Sequence, residues 1–213
     1  MSKERNMTNY ATHLQNYIKK IEWDGVFRLG TWMHDFLGAE YNDRSSFAGT
    51  MLIHDMVRRA FSPGCYVKYV TVIKGSQGIG KSRSLSALAG DENFSPTADK
   101  PNDSFPYLPK KWLIDIPETQ RSLIRGSEKF KDFIFQKGDK YRRPYTKLEI
   151  EHPRSFVFVG TSITDEYIRG TKNDDRFLFV GCGVKKDKCD VEGLRVVRDQ
   201  LFAEAYRDLT FKF

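Results

Sequence analysis

Apolar side chains recur with two different periods along the chain, and the change between them divides the sequence near residue 64. Before it, apolar positions lie three or four residues apart, as at Tyr10, Leu14 and Ile18, which is the spacing of amphipathic helices. This spacing predicts helices over residues 8–21, 29–37 and 45–61. A serine–proline–glycine turn at residues 62–64 ends this part of the chain.

Short apolar runs replace the helical pattern after residue 64 and predict buried β-strands. They are rich in β-branched and aromatic residues and lie at residues 67–73, 112–116, 155–161 and 176–182. Helical patterns alternate with them at residues 81–90, 127–136 and 191–208. Residues 91–109 read as a polar connector, and residues 141–151 as an extended basic hairpin or a loop followed by a strand. Because apolar strands that alternate with helices form parallel sheets covered on both faces, the sequence predicts an α/β fold with a mostly parallel central sheet.

The predicted organisation has three parts. A small helical domain at residues 1–64 precedes a core domain at residues 65–190, and a helix at residues 191–213 ends the chain. A chain of 213 residues is long enough for one α/β domain with a substantial core.

Composition narrows the class of protein without identifying it. Hydrophobic residues make up 39% of the chain and aromatic residues 14%, which is typical of a globular protein. Lys and Arg outnumber Asp and Glu by 35 to 28, a basic excess compatible with a nucleic acid or nucleotide partner. No apolar run approaches the roughly 20 residues that cross a bilayer, and the polar N-terminus lacks a signal-peptide core, so we expect a cytoplasmic protein without membrane contact. The three cysteines and four histidines have no metal-binding spacing, which predicts free thiols in a reducing compartment.

A glycine-rich loop follows the first predicted strand and precedes a helix. Residues 75–82 match the phosphate-loop pattern G-x-x-x-x-G-K-[ST] at every fixed position. In this pattern, glycines let backbone N–H groups wrap around the β- and γ-phosphates, the lysine bridges their oxygens and the serine hydroxyl is a ligand for Mg²⁺. The sequence therefore predicts a P-loop domain that binds ATP with Mg²⁺ through Gly75, Ser76, Gln77, Gly78, Ile79, Gly80, Lys81 and Ser82.

Acidic and hydroxyl residues lie at the ends of the second and third predicted strands. A P-loop ATPase needs a carboxylate near its metal and a group that orients the attacking water. Asp115 is the candidate for the metal, with Ser82, and Glu118 is the candidate for the water. Thr161 and Ser162 end the third strand, where a hydroxyl would touch the γ-phosphate. The alternatives are that Asp115 caps a turn, that Glu118 is a solvated acid and that the hydroxyls only form turns.

A basic segment lies between residues 137 and 147, where five cations accompany two tyrosines. Cations bind backbone phosphates, and tyrosine rings stack on bases. The sequence therefore predicts contacts of Lys140, Arg142 and Arg143 with single-stranded or double-stranded DNA. The alternatives are a solvated basic loop, or arginines that serve ATP bound to a neighbouring subunit.

Ten short blocks carry a resemblance to a known family over nearly the whole chain. They lie at residues 21–29, 34–40, 63–65, 75–82, 112–118, 139–145, 153–154, 158–161, 176–177 and 199–205. The Trp-Asp-Gly opening and the tyrosine–arginine–arginine–proline–tyrosine block are the most specific of them. In these blocks the chain resembles the virulence-associated protein E family, P-loop proteins of phages and mobile elements that are related to superfamily-three helicases.

This resemblance implies an AAA+ or helicase-like ATPase of DNA replication or mobile-element maintenance that assembles as a ring-forming homo-oligomer. The residues themselves predict catalytic roles for Lys81 and Glu118, and the resemblance adds Arg176 as an arginine finger, either in its own subunit or on the ATP of a neighbouring one. The chain departs from the family at two places. Ile163 stands where the family has Asn, and Asp175 replaces the first of two paired arginines. Both departures argue against rapid hydrolysis and leave nucleotide binding intact.

Two functions follow from these observations. The first is an ATP-hydrolysing, helicase-like protein that acts on nucleic acid. The second is an interaction or assembly module in which ATP sets the assembly state and turnover is slow, and Ile163 is the residue that favours it.

Overall fold

The computed structural model describes residues 2–96, 110–117, 128–142, 149–163 and 174–210. Within these ranges the helices are α1 (Ser2–Lys19), α2 (Trp32–Leu37), α3 (Asp43–Phe61), α4 (Lys81–Ala89), α5 (Glu128–Phe135) and α6 (Val191–Thr210). The strands are β1 (Val70–Lys74), β2 (Phe94–Pro96), β3 (Leu113–Pro117), β4 (Gly138–Arg142), β5 (Glu149–Pro153), β6 (Val157–Ser162) and β7 (Phe177–Gly181).

The central sheet of the described chain has five strands in the order β2-β3-β6-β1-β7, and every neighbouring pair is parallel. The prediction of a mostly parallel α/β sheet with helices is therefore confirmed. β6 lies between β1 and β3, so the strand that carries Asp115 is not the neighbour of the strand that precedes the glycines. β4 and β5 pair with each other in antiparallel fashion and form a separate hairpin, the β4–β5 hairpin.

Alternating side chains of the sheet enter two hydrophobic clusters, one on each face. Val70 and Val72 of β1 pack in a cluster with α5, while Ile73 packs in the larger cluster on the other face. Helices α1, α2, α3, α4 and α6 all contribute to that larger cluster. Because Asp115 alternates with Ile114 and Ile116, it lies on the same face as Leu113, toward α4 and α6.

The helices before residue 64 share this core with the sheet and do not enclose a separate one. The Trp112 ring, at the start of β3, stacks on Phe202 of α6 with ring centroids 4.4 Å apart. The Trp112 indole N–H donates to the carbonyl of Met56 in α3 at 2.8 Å. The boundaries after residues 64 and 190 stay a prediction.

One strand falls inside the segment predicted to be a polar connector. β2 contains only three residues and pairs in parallel with β3, from Phe94 opposite Leu113 to Pro96 opposite Asp115. Such a short strand has no apolar period of its own, and its backbone pairing with β3 is a tertiary effect. The prediction that residues 91–109 form only a connector is therefore wrong for β2.

Candidate functional site

The carboxyl ends of β1, β3 and β6 meet at one edge of the sheet because these strands are parallel and adjacent. Thr161 of β6 is level with Ile73 of β1 on one side and with Pro117 of β3 on the other. The glycine loop, residues 75–80, leaves β1 at this edge and continues into α4. The structure therefore brings together the glycine loop and the ends of both strands that the sequence singled out.

Lys81, the first residue of α4, points back into the glycine loop. Its ammonium donates to the carbonyl oxygens of Gly75 at 2.6 Å and Ser76 at 2.9 Å, and the residue is only 9% exposed. These two carbonyls satisfy the buried charge. An anionic group at the loop would offer the ammonium stronger, charge-assisted hydrogen bonds.

Two of the glycines are required by the local geometry. Gly80 has a φ of +112°, in the region that favours glycine. A Cβ at Gly75 would lie 2.6 Å from the Cys182 sulfur, so only glycine fits there. Between them, residues 76–78 are exposed to solvent. The backbone at the tip of the loop is therefore exposed to solvent, while the two ends of the loop are tightly packed.

Asp115 is held by two hydroxyl groups at the strand ends. Its carboxylate accepts hydrogen bonds from the Ser82 hydroxyl at 3.1 Å and from the Thr161 hydroxyl at 3.0 Å. Asp115 is 1% exposed and Thr161 is 4% exposed. In the structure the Thr161 hydroxyl donates to Asp115, and its predicted contact with the nucleotide stays a prediction.

Burial raises the pKa of Asp115 to about 6, against the opposing effects of the Thr161 and Ser82 hydrogen bonds and of the nearby Lys81 charge. Between the ordinary pKa of 3.8 and the raised value of about 6, the folded chain keeps a proton on Asp115 that the unfolded chain has released. A cation placed beside this carboxylate would favour its ionised form and lower its pKa again.

Replacing Asp115 with Asn is expected to remove a pH-dependent loss of stability. The folded pKa lies above the unfolded one, so the free energy of unfolding of the wild type falls as pH rises from about 4 to about 6, and stays lowered above that range. The shift corresponds to roughly 3 kcal/mol. Urea denaturation at several pH values should show the free energy of unfolding of the Asn variant rising relative to that of the wild type across this pH range. The exposed Asp187→Asn variant is the control, and a difference that does not vary with pH would contradict the expectation.

Ser82 and Asp115 fit a magnesium site. Both supply hard oxygen donors, and an octahedral Mg²⁺ with bonds of about 2.1 Å holds neighbouring ligands about 3 Å apart. The Ser82 hydroxyl and the Asp115 carboxylate are 3.1 Å apart, which matches that spacing. The described residues contain no group of three or more His, Cys, Asp or Glu side chains that would form a metal site without a bound substrate.

Arg176 lies at the other end of the sheet from the glycine loop of its own chain. It precedes β7, whose first residue pairs with Val70 at the start of β1. The length of β1, roughly 13 Å at about 3.3 Å per residue, therefore separates Arg176 from the loop. The Arg176 guanidinium pairs with Asp174 and lies 4.5 Å from the centre of the Phe135 ring. The structure does not bring Arg176 to the site formed by its own chain.

The β4–β5 hairpin carries part of the basic segment. Lys140 is exposed on β4, and Arg142 ends that strand, whereas Arg143 lies outside the described residues. Glu118 also lies outside them, directly after β3. The hairpin joins the sheet where β6 begins, so its base is at the edge opposite the glycine loop.

Sequence reasoning missed the ion pair that fastens this hairpin. Arg154, just after β5, is 2% exposed and donates to the Asp139 carboxylate at 2.8 Å and to the Ile134 carbonyl at 3.1 Å. Its guanidinium also lies 4.6 Å from the centre of the Phe133 ring. Both residues lie in blocks that carry the family resemblance, but the sequence does not pair them, since only the pairing of β4 with β5 makes them neighbours.

The fold and the site together define a parallel α/β protein in which a glycine loop joins a buried strand to a helix, beside an acidic strand. A family model described as the virulence-associated protein E-like domain matches residues 18–211. The chain belongs to this family. No curated protein matches the chain in sequence. Among the described residues, no helix is long and apolar enough to span a membrane.

Solved structures of the NrS-1 C-terminal region share this fold. An A-form apo structure aligns with a TM-score of 0.63 at 16% identity, covering 88% of this chain and 47% of the other. A second A-form apo structure aligns with a TM-score of 0.58 at 17% identity, covering 88% of this chain and 46% of the other. This chain therefore spans just under half the length of the chains it matches.

Proposed function

We propose that the chain binds Mg-ATP at the glycine loop and hydrolyses it, in the service of DNA replication or mobile-element maintenance. The observation that carries the proposal is the grouping of Lys81, Ser82 and Asp115 at one strand edge. A buried ammonium, a hydroxyl and a carboxylate beside open glycine backbone are the groups that an Mg-nucleotide requires. The match of residues 75–82 to the phosphate-loop pattern supports the same proposal.

In this proposal Lys81 exchanges partners when the nucleotide binds. Its ammonium leaves the Gly75 and Ser76 carbonyls and bridges the β- and γ-phosphate oxygens. The exchange keeps the buried charge paired in both states. The N-terminus of α4 adds the partial positive charge of its unpaired N–H groups.

Ser82 and Asp115 would hold the metal in the same site. Mg²⁺, when bound with ATP, offsets negative charge that develops on the phosphates. Thr161 keeps the Asp115 carboxylate facing Ser82 through its own hydrogen bond. Glu118, three residues after Asp115, would orient the water that attacks the γ-phosphate in line.

Contact with DNA is the part of the proposal that depends on the β4–β5 hairpin. Replacing Lys140, Arg142 and Arg143 with Ala is expected to weaken the binding of a labelled single-stranded oligonucleotide regardless of its sequence. Each phosphate contact contributes about 0.7 to the slope of the logarithm of affinity against the logarithm of salt concentration. Loss of three contacts should therefore flatten this slope by about two units. Fluorescence anisotropy over a salt series measures both effects.

A matched control removes three exposed cations elsewhere, with Lys68, Arg83 and Lys110 changed to Ala. This control should leave the slope as in the wild type, since those cations do not cluster. An unchanged slope in the hairpin variant would contradict the DNA contact. If that variant instead lost ATP affinity, the arginines would serve a nucleotide.

A role for Arg176 is proposed only across a subunit boundary. Arg176 is far from its own glycine loop, and it adjoins β7, an edge strand of the described sheet where a neighbouring copy can approach. Mixing equal amounts of Arg176→Ala and Lys81→Ala protomers should restore about a quarter of the wild-type ATPase rate. Each shared site needs Lys81 from one protomer and Arg176 from its neighbour, and random assembly supplies both at about a quarter of the interfaces. Each variant alone is the control. Mixtures no more active than the variants alone would remove the role in trans.

A slow nucleotide-gated assembly module is the second candidate function. The observation that favours it is Ile163, which is 48% exposed after β6 and offers no polar side-chain group near the site. Turnover with and without single-stranded DNA, measured together with the size of the assembly with and without ATP, separates the two candidates. DNA-stimulated turnover supports the motor, and ATP-dependent assembly with slow, DNA-independent turnover supports the module.

A further inference from the structure

Two cysteines pack against the base of the glycine loop. Cys182 directly follows β7, and its N–H donates to the Lys74 carbonyl at 2.7 Å, which extends the pairing of β7 with β1. Its sulfur lies 2.6 Å from the position that a Cβ would take at Gly75. The Cys182 side chain therefore lies against the first residue of the loop.

Cys189 contacts the other end of the same loop. Its N–H donates to the Ile79 carbonyl at 2.9 Å, and its Cβ lies 3.2 Å from the position that a Cβ would take at Gly80. One segment of chain, residues 182–189, thus supports the loop at both ends.

The turn of this segment brings the two thiols together. The Leu37 carbonyl oxygen accepts from the Gly183 N–H at 2.9 Å and lies 3.9 Å from the Cys189 sulfur. The residue after Cys182 and the side chain of Cys189 therefore meet at one atom. In this arrangement the two thiols are close enough that each alters the acidity of the other.

The two thiols differ in acidity and in access. The neighbouring Cys182 thiol lowers the pKa of Cys189, and the Lys81 charge acts in the same direction. The Cys189 thiol, together with burial, raises the pKa of Cys182. Cys189 is half-buried beside the exposed residues 184–188, whereas Cys182 is 5% exposed. Cys189 is thus the thiol that meets an oxidant first.

We propose that Cys182 and Cys189 form a reversible disulfide against the glycine loop, and that this bond weakens the binding of a nucleotide there. The second half of this inference rests on the proposed function. The first half concerns the two thiols alone.

The oxidant is a small disulfide of the glutathione type. The Cys189 thiolate attacks one glutathione sulfur, breaks the glutathione S–S bond and forms a mixed disulfide, releasing one glutathione thiolate. Cys182 then loses its proton and attacks the Cys189 sulfur, which releases the second glutathione. Two protein thiols are oxidised and one glutathione disulfide is reduced to two thiols. The proton that Cys189 lost on ionising and the proton that Cys182 loses end on the two glutathione molecules.

The bond acts on the loop through backbone contacts. Closing the two sulfurs to a bond of about 2.05 Å moves the Cys189 backbone. That backbone holds the Ile79 carbonyl and packs on Gly80, so the end of the loop must shift with it. It also removes the acidic thiol near Lys81. We expect the oxidised chain to bind a fluorescent ATP analogue with Mg²⁺ about 10-fold more weakly, an ordinary coupling between two sites.

The test equilibrates the full chain with oxidised glutathione and applies three measurements before and after reduction with dithiothreitol. Peptide mass mapping detects the Cys182–Cys189 bond. Hydrogen exchange of residues 75–82 reports the loop, and titration with the fluorescent analogue reports affinity. The wild type should form the bond, change exchange in the loop and lose affinity, all reversibly. Cys189→Ser should show none of these changes, and Cys65→Ser, at the opposite end of β1, should behave as the wild type.

The outcomes separate this inference from the proposed function. A folded wild type that forms no Cys182–Cys189 bond overturns the inference, as does a bond that leaves both loop exchange and affinity unchanged. If the reduced chain binds no nucleotide, the proposed function fails. In that case the disulfide and its effect on loop exchange still support or overturn the first half of the inference by themselves.

Discussion

Replacing Lys81 with Ala is expected to lower the ATPase rate by at least about 100-fold, the cost of removing one well-placed group that stabilises a developing charge. Mg-ATP affinity should fall by about 10-fold to 100-fold, because a hydrogen bond to a charged group contributes about 1.5–3 kcal/mol. The fold should survive, because the hydrogen bonds of the Lys81 ammonium go to carbonyls of its own loop and join no other element. Isothermal titration and a phosphate-release assay measure the two effects.

Arg83→Ala is the matched control for this change. Arg83 lies on the same helix two residues later and is exposed, so its removal subtracts an equal charge without touching the loop. Its affinity and rate should stay within a factor of about two of the wild type, as for most surface substitutions. Undiminished affinity and rate in the Lys81→Ala protein would contradict the assignment of the nucleotide site.

Replacing Arg154 with Ala is expected to destabilise the chain by about 3–5 kcal/mol, because it leaves the Asp139 carboxylate buried without its cation. Both residues are almost fully buried, at 2% and 7% exposure. The guanidinium also bonds the Phe133 and Ile134 carbonyls at the end of α5, which would lose their donor. Urea denaturation measures the loss, and the β4–β5 hairpin should be the first part of the chain to lose hydrogen-exchange protection.

Arg195→Ala provides the comparison with an exposed ion pair. Arg195 pairs with Asp91 at 3.4 Å, and their side chains are 42% and 65% exposed. Its loss should cost less than about 1 kcal/mol, as surface pairs do. A double variant, Arg154→Met with Asp139→Leu, should recover much of the stability because no buried charge remains unpaired. Equal costs for the Arg154 and Arg195 changes would contradict the structural role given to Arg154.

The strand and the helix on either side of the glycine loop could be predicted from local sequence patterns. The apolar run before Gly75 and the helix after Gly80 are present, and β1 and α4 begin and end within a few residues of the predicted bounds. The parallel sheet followed from the alternation of strands and helices. β2 could not be predicted because its three residues are ordered by pairing with β3 and not by their own pattern.

Contacts between distant segments could not be read from the sequence. The insertion of β6 between β1 and β3 places the Thr161 hydroxyl against Asp115, a contact that the sequence did not predict. The sequence made Arg176 a candidate arginine finger without locating it, and the pairing of β7 with β1 places it at the edge of the sheet opposite the glycine loop. In each case the register of a strand decides which side chains meet, and that register is set by the packing of the whole sheet.

The site of nucleotide binding is tested most directly by NMR titration of the ¹⁵N-labelled chain with Mg-ATP. Backbone amides from Gly75 to Ser82 should shift saturably with one nucleotide per chain, because their N–H groups would turn toward the phosphates. The Asp115 amide should respond with them when Mg²⁺ is present and much less when it is chelated. Absence of saturable shifts in residues 75–82, or shifts confined to other parts of the chain, would contradict the account.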